Sequence, residues 1–288
     1  MSNNNLPDKV FQTWEKWLEV NKKRCHLHFD LEGGSILNHV DMSMKSANNT
    51  VNRIVNDLPN QFKPRRILEI GASVGFNSIA LAEYYSYAEV FSVEPDKEAV
   101  GVAEAMANHL SINYKPIVGV GEKLNFPNGY FDLIVCHTVI EHVNDVSEVI
   151  REMARVLSPG GYIHLDAPNY MWPYEPHLAI WCLPMLGKQL VRVFAVIQGK
   201  RKELWYIEHL KFVTPYYLER QYKDNGLKWE NRVVSKLLNS IEGDAQIVRY
   251  RKTAKVVKSL GKIAFIQNIL LLIIRLGLYP SVMYTVKK

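Results

Sequence analysis

The stretch from Arg66 to Asn77, Arg-Ile-Leu-Glu-Ile-Gly-Ala-Ser-Val-Gly-Phe-Asn, constrains the fold more than any other part of the chain. A short apolar run (Ile67, Leu68, Ile70) enters a turn bounded by Gly71 and Gly75, and a helical pattern follows at once in Ile79, Ala80, Leu81 and Tyr84. Strand, tight loop and helix in immediate succession present backbone N–H groups and a helix N-terminus to a nucleotide-like ligand. A second strand pattern, 88–93, runs into Glu94, 23 residues after Gly71. A carboxylate at that place can accept hydrogen bonds from both hydroxyls of a ribose. The glycine spacing argues against two ligand classes. A dinucleotide fingerprint would need glycine where Ser73 and Phe76 stand, and the Gly-Lys-Ser/Thr end of a Walker loop is absent. By itself the turn leaves open the less favoured alternative of a purely structural bend in another α/β protein.

The flanking pattern supports a ligand site. Strands are expected at 66–70, 88–93, 116–120, 131–136 and 161–166, and helices at 77–86, 96–110 and 145–157. This alternation predicts a doubly wound, mostly parallel α/β sheet. Ligands in such sheets bind at the carboxyl ends of the strands. Gly71, Glu94, Gly121–Glu122 and Cys136–Thr138 all fall on that rim.

The run Glu69-x-Gly71-x-x-x-Gly75 resembles the first motif of class I S-adenosylmethionine-dependent methyltransferases, E/D-x-G-x-G-x-G, with Ser73 at the middle glycine. Gly121-Glu122-Lys-Leu-Asn-Phe-Pro127 through Phe131-Asp132 is similar to that family's G-D-A-E-x-L-P-F…F-D segment, with Val120 in place of the usual Asp. Glu141-His142-Val and Arg155-Val-Leu-Ser-Pro159-Gly160-Gly161 look like the type-11 subgroup. The resemblance covers roughly residues 64–169. It implies a seven-stranded Rossmann-like sheet whose last strand, 281–288, is antiparallel, and S-adenosyl-L-methionine as cofactor. Gly71, Ala72, Ser73 and Gly75 would hold the methionine end, Glu94 the ribose and Gly121–Glu122 the adenine. Glu69, Pro95, His137 and Thr138 would complete the cofactor site.

The organisation expected around this core has three further parts. Residues 1–63 hold two helices, 8–20 and 36–58, before the first strand. Residues 170–211, aromatic, apolar and basic, form an insertion after strand five that is read as an acceptor lid. Residues 212–288 return to the sheet through a capped helix from Thr214, a strand at 228–235 and a long basic amphipathic helix at 249–279. At 288 residues, 48% hydrophobic and 22% charged, the chain suits one large globular domain with an insertion. Its net charge of +6 is uneven: after Asp244 there are nine Lys and Arg and no acid, which leaves −3 for the preceding part. Lys255, Lys258 and Lys262 share one helical face, a pattern that fits an anionic membrane surface. The apolar run Ile269–Ile274 is too short to span a bilayer, which needs ~20 residues. Three widely spaced cysteines, no CxxC and a polar N-terminus point to the cytoplasm. The basic helix points either to peripheral attachment at the inner membrane face or to an ordinary core helix between strands six and seven.

Methyl transfer from a sulfonium is an in-line displacement, so the protein must align donor and acceptor and exclude water. A hydroxyl acceptor gains from a general base, and histidine is the usual one. His142 is the first candidate, followed by His137 and Glu141, with His177 and His209 in the insertion behind them. Some quinone-pathway relatives hold a divalent metal in an acid-rich version of this segment. Thr138 replaces the first acid here, so no metal is expected. The reading is therefore a methyltransferase acting on a small-molecule or lipid- or glycan-linked acceptor, by O-methylation. The alternatives are a nicotinamide-dependent oxidoreductase on the same architecture and a non-catalytic binding module. His137-Thr138-Val139-Ile140 stands where a base-amine methyltransferase would carry Asn/Asp-Pro-Pro-Tyr/Phe, which argues against nucleic acid as substrate.

Overall fold

The computed structural model describes residues 6–24, 35–242 and 264–288. The chain divides into two compact units, Met1–His137 with Ser147–His164 and Lys288, and Thr138–Val146 with Leu165–Lys287. The first unit contains α1 (Asp8–Arg24), α2 (Ile36–Asp57), β1 (Arg66–Ile70), α3 (Phe76–Tyr84), β2 (Glu89–Glu94), α4 (Lys97–Leu110), β3 (Tyr114–Val118) and β4 (Phe131–His137). Helix α5 (Val146–Val156) and strand β5 (Leu157–Pro168) run across the boundary. The second unit adds β6 (Tyr174–Glu175), β7 (Ile180–Trp181), α6 (Lys188–Ile197), α7 (Leu204–His209), α8 (Pro215–Asp224), β8 (Lys228–Asn231), α9 (Arg232–Glu242), α10 (Ala264–Arg275) and β9 (Ser281–Lys287). Seven strands form one sheet in the order β3-β2-β1-β4-β5-β9-β8. Strands β1 to β4 pair in parallel, and β8 pairs antiparallel with β9. This is the mostly parallel doubly wound class expected from the alternation.

In the first unit β1 is buried at every position after Arg66, which is why it reads as a continuous apolar run rather than an alternating one. Its start is pinned to β4 by Asp132, whose Oδ2 accepts the N–H groups of Arg65 and Arg66 at 2.8 and 3.0 Å. The two N-terminal helices are part of this unit's core rather than an appendage. Trp14, Trp17, Val40, Met44 and Ile54 pack into the same cluster as Ile67, Ile79, Met106 and Leu133. Trp14 is fully buried and meets Trp17 edge-on at 5.5 Å and Phe76 at 5.7 Å between ring centroids. Ser35 starts α2 by accepting the Asn38 N–H on its hydroxyl.

In the second unit the inserted stretch is closed at its neck by a hydrogen bond from the Tyr170 N–H to the Val213 carbonyl (3.1 Å). It encloses a small core of Leu178, Ile180, Cys182, Val191, Ala195 and Ile207. Asn169, just before it, donates to the carbonyls of Gly277 and Tyr279 and so fixes the entry to β9. Thr214 caps α8 as its sequence predicts, accepting the Tyr217 N–H.

Three expectations change. The strand expected at 228–235 stops at Asn231, because the Asn231 side chain accepts the Val234 N–H (3.2 Å) and caps α9 in its place. Strand three runs Tyr114–Val118 rather than 116–120, and Val120 then makes an isolated bridge to Lys123. Of the helix expected over 249–279, Ala264–Arg275 is helical, while Lys255, Lys258 and Lys262 lie outside the described residues. Among the described residues no helix is long and apolar enough to cross a membrane.

If α1 is integral to the core, Trp14→Ala should lower stability by ~3–5 kcal/mol, the usual cost of emptying a buried aromatic site. Denaturant unfolding followed by circular dichroism reads this directly, and a loss under ~1 kcal/mol would show α1 to be dispensable.

Candidate active site

The loop between β1 and α3 has an unusual backbone. Gly71, Ser73 and Gly75 all have left-handed dihedrals, with φ of +70°, +49° and +88°. Three such residues at alternate positions turn a strand into a helix within five residues, and only glycine adopts this conformation without a steric cost. Ser73 therefore keeps the conformation of the glycine it replaces. What holds it is Glu94, whose Oε2 accepts the Ser73 N–H at 2.8 Å while Oε1 accepts the Asp96 N–H at 3.0 Å. Glu94 is half-buried at the end of β2, and burial raises its pKa above the usual carboxylate value. Each oxygen keeps a lone pair after these bonds, so the carboxylate can still accept from a diol. Gly75 packs beneath: a Cβ there would come 2.7 Å from the Tyr114 hydroxyl and 3.0 Å from the Ala103 Cβ.

Ala72 is buried, Ser73 and Pro95 are exposed, and Gly121 is a packing glycine whose Cβ would crowd Ile70 and Val149 at 3.0 and 3.3 Å. Glu122 is half-buried after it, and Val120, in place of the expected acid, is exposed.

Glu69 does not line the rim. It is 2% exposed, and its carboxylate accepts from the Ser78 hydroxyl and from Asn77 Nδ2 (3.0 Å), both in the first turn of α3. It braces the loop from below, and burial pushes its pKa up to about 7. In this structure the Glu69 side chain positions the loop.

His137 is also turned inward. Its ring points into the first unit, where Nε2 is 2.7 Å from His164 Nδ1, and His164 Nε2 is in turn 3.2 Å from Asp57 Oδ2. All three groups are buried. A ring engaged in this chain serves the join of β4, β5 and α2 and is not a general base for a substrate.

The second unit holds the remaining candidates. Thr138 follows β4 with φ +52°, a left-handed conformation rare for a β-branched residue, and its N–H donates to the Asp166 carbonyl at 2.7 Å. Three residues on, Glu141 is 0% exposed and both carboxylate oxygens lack a hydrogen-bond partner among the described residues. His142 Nε2 stands 3.9 Å and His177 Nε2 3.8 Å from Glu141 Oε1. The two imidazole centroids are 5.0 Å apart, and the Tyr206 ring lies against both. Burial raises the Glu141 pKa to about 7. Burial, with the nearby His177, lowers His142 to about 4, so its imidazole is neutral near pH 7. His177 is fixed from behind by Glu175, fully buried, whose Oε1 lies 2.6 Å from His177 Nδ1. Glu175 Oε2 accepts the Leu178 N–H.

Also in this unit is a cavity of about 240 Å³ whose lining includes Thr138, Asp166, Trp172, Tyr174, Pro176 and Ser281. Aromatic walls with few polar groups suit a small organic acceptor. Sequence reasoning brought together His142 and Glu141 but missed Asp166 and Glu175. Asp166 ends the predicted strand 161–166, so the strand-end rule applied to the first four strands would have found it. Glu175 and His177 reach Glu141 across more than thirty residues of chain, and no local spacing encodes that.

Two outcomes follow from the first unit's loop. Gly75→Ala should cost ~1–3 kcal/mol of strain plus the clash with Tyr114, whereas Gly199→Ala, also left-handed but with open space around it, should cost only the dihedral term. Thermal unfolding of both variants would show this, and equal shifts would contradict the packing at Gly75. Glu69, folded, keeps its proton up to about pH 7, while the unfolded chain loses it near 4.5. Its contribution is therefore full below pH 4.5 and is lost as pH rises through 7, up to ~3 kcal/mol. Melting temperatures at pH 5.5 and 8.5 should fall with pH in the wild type, and less in Glu69→Gln. An equal fall would remove Glu69 as the cause.

Residues 68–165 match the family model described as "Methyltransferase domain". The chain is 37% identical over 97 residues to an uncharacterized methyltransferase, YcgJ, of Bacillus subtilis, covering 33% of this chain and 38% of that protein. It is 29% identical over 175 residues to a ubiquinone biosynthesis O-methyltransferase of Colwellia psychrerythraea, covering 60% of this chain and 64% of that protein. The chain thus spans under two thirds of the length of these curated relatives. A solved geranyl diphosphate methyltransferase in complex with SAM has the same fold, with a TM-score of 0.52 at 14% identity over 83% of this chain and 84% of that one. Over residues 68–165 the chain is similar to methyltransferase domains, and the looped β1–α3 turn and the strand order agree with that match.

Proposed function

We propose that this chain transfers a methyl group from S-adenosyl-L-methionine to a hydroxyl of a small-molecule or lipid- or glycan-linked acceptor. The observation that carries the reading is the Gly71–Gly75 loop with three left-handed residues, tied to the rim acid Glu94. The donor set fits an adenosyl ligand: a pre-oriented carboxylate for a diol, and loop backbone close enough to approach a ligand without side chains in the way. Bound cofactor supplies an electrophilic methyl on a positively charged sulfur.

In this reading Glu94 holds the ribose, and the Ala72–Ser73 backbone flanks the methionine end. Gly121 and Glu122 stand beside the adenine. Thr138 and the aromatic cavity of the second unit orient the acceptor and exclude water, which raises the effective concentration of the reacting oxygen. The His142 imidazole, neutral near pH 7, would take the proton released by the acceptor hydroxyl. The basic stretch after Asp244 favours an acceptor held at an anionic membrane surface, at the cytoplasmic face.

The test is calorimetric binding of S-adenosylhomocysteine to the full chain and to Glu94→Ala. Binding in the micromolar range, weakened ~10–100-fold in the variant, is the expected result, because a lost hydrogen bond to a charged group costs ~1.5–3 kcal/mol. No binding by folded wild type would sink the cofactor assignment.

A further inference from the structure

We propose that Glu141, His142 and His177 form a binding site for one divalent transition-metal ion of the zinc class, with Glu175 as the residue that orients His177. The three groups offer two imidazole nitrogens and one carboxylate oxygen, and their ligand atoms all lie within 4.8 Å of one another. This donor set suits borderline ions such as zinc, whereas magnesium and calcium prefer oxygen alone. Tetrahedral bonds of about 2.0–2.1 Å would place the donor atoms ~3.3 Å apart. The present separations of 3.8 and 3.9 Å from Glu141 Oε1 close to that value by small side-chain rotations.

Two further observations point to a cation there. Glu141 is completely buried, and neither of its oxygens has a hydrogen-bond partner among the described residues. A buried carboxylate left so is costly, and both histidine nitrogens face it. His177 also has the arrangement usual for a metal-binding imidazole. Its Nδ1 lies 2.6 Å from Glu175 Oε1, which accepts an N–H from that ring nitrogen and leaves the Nε2 lone pair toward Glu141. Glu175 is itself fixed by the Leu178 N–H. The third ligand comes from the stretch after β5, so the missing acid at Thr138 does not prevent a three-ligand site. Three protein ligands leave a coordination position for water or an acceptor oxygen.

An ion and a proton compete for His142 Nε2, so the loaded protein would not use His142 as a base. The cofactor loop is untouched by this, and S-adenosylhomocysteine binding therefore reports separately on the methyltransferase reading. The full chain is stripped with a chelator and titrated with Co²⁺, following the visible absorption of the ion, then with Zn²⁺ in competition. One equivalent is expected to bind, with affinity reduced at least ~10-fold in His177→Ala and ~10–100-fold in Glu175→Gln, the usual effect of losing an orienting partner. Circular dichroism and S-adenosylhomocysteine binding check that each variant is folded. If His177→Ala does not fold, Glu175→Gln carries the test. Absence of Co²⁺ binding by folded wild type, or affinity unchanged in a folded variant, would overturn the proposal.

Discussion

The hydrogen bond from the Ser73 N–H to Glu94 holds together the part of the molecule on which ligand binding depends. A non-glycine residue in the left-handed region costs ~1–2 kcal/mol, and a hydrogen bond to a charged acceptor contributes ~1.5–3 kcal/mol, so one offsets the other. The bond also joins the ends of two adjacent parallel strands, since Ser73 follows β1 and Glu94 ends β2. Beneath the loop Glu69 anchors the first turn of α3, and Tyr114 from β3 closes the space under Gly75. Four elements thus meet in five residues of loop. The rim acid cannot move without releasing the backbone, nor the backbone without tilting α3. A ligand arriving there finds a surface already shaped, which lowers the ordering cost of binding.

The second unit solves a different problem. It buries Glu141, Asp166 and Glu175 within one compact body, where isolated carboxylates are unfavourable. Glu175 is compensated by its bonds to His177 and the Leu178 backbone, and Glu141 faces two imidazoles. Glu141 and His142, whose pKa values are both displaced, are groups of the kind that concentrate at reactive sites. The strained dihedral of Thr138 at the entry to this region has the same character, because the surrounding structure must supply what the backbone loses.

What was legible in the sequence depended on how local its cause was. The β1 loop was readable because glycine positions and the following helix pattern act within a dozen residues. Even Ser73, a departure from the glycine pattern, occupies the conformation the pattern implies. Glu69 entered the expected cofactor set through the motif alone, and a strand buried on both faces has no polar alternation to reveal which way its side chain points. His137 ends β4 and His142 follows it five residues on, yet one ring enters the core and the other reaches the surface. Spacing does not separate them, and only the positions of His164 and Asp57 do.

By itself, the sequence determined the doubly wound sheet, the loop that shapes its rim, the acid that ends β2 and the resemblance to methyltransferases. Each rests on short-range periodicity and turn chemistry. Only the tertiary structure decided which acids and histidines face one another. The Glu175–His177 contact is local, between residues two apart, but Glu141 meets His177, and His142 meets Tyr206, only because the inserted stretch turns back on the segment after β4. Those contacts arise from packing between segments far apart in the chain, and local patterns carry no information about such packing.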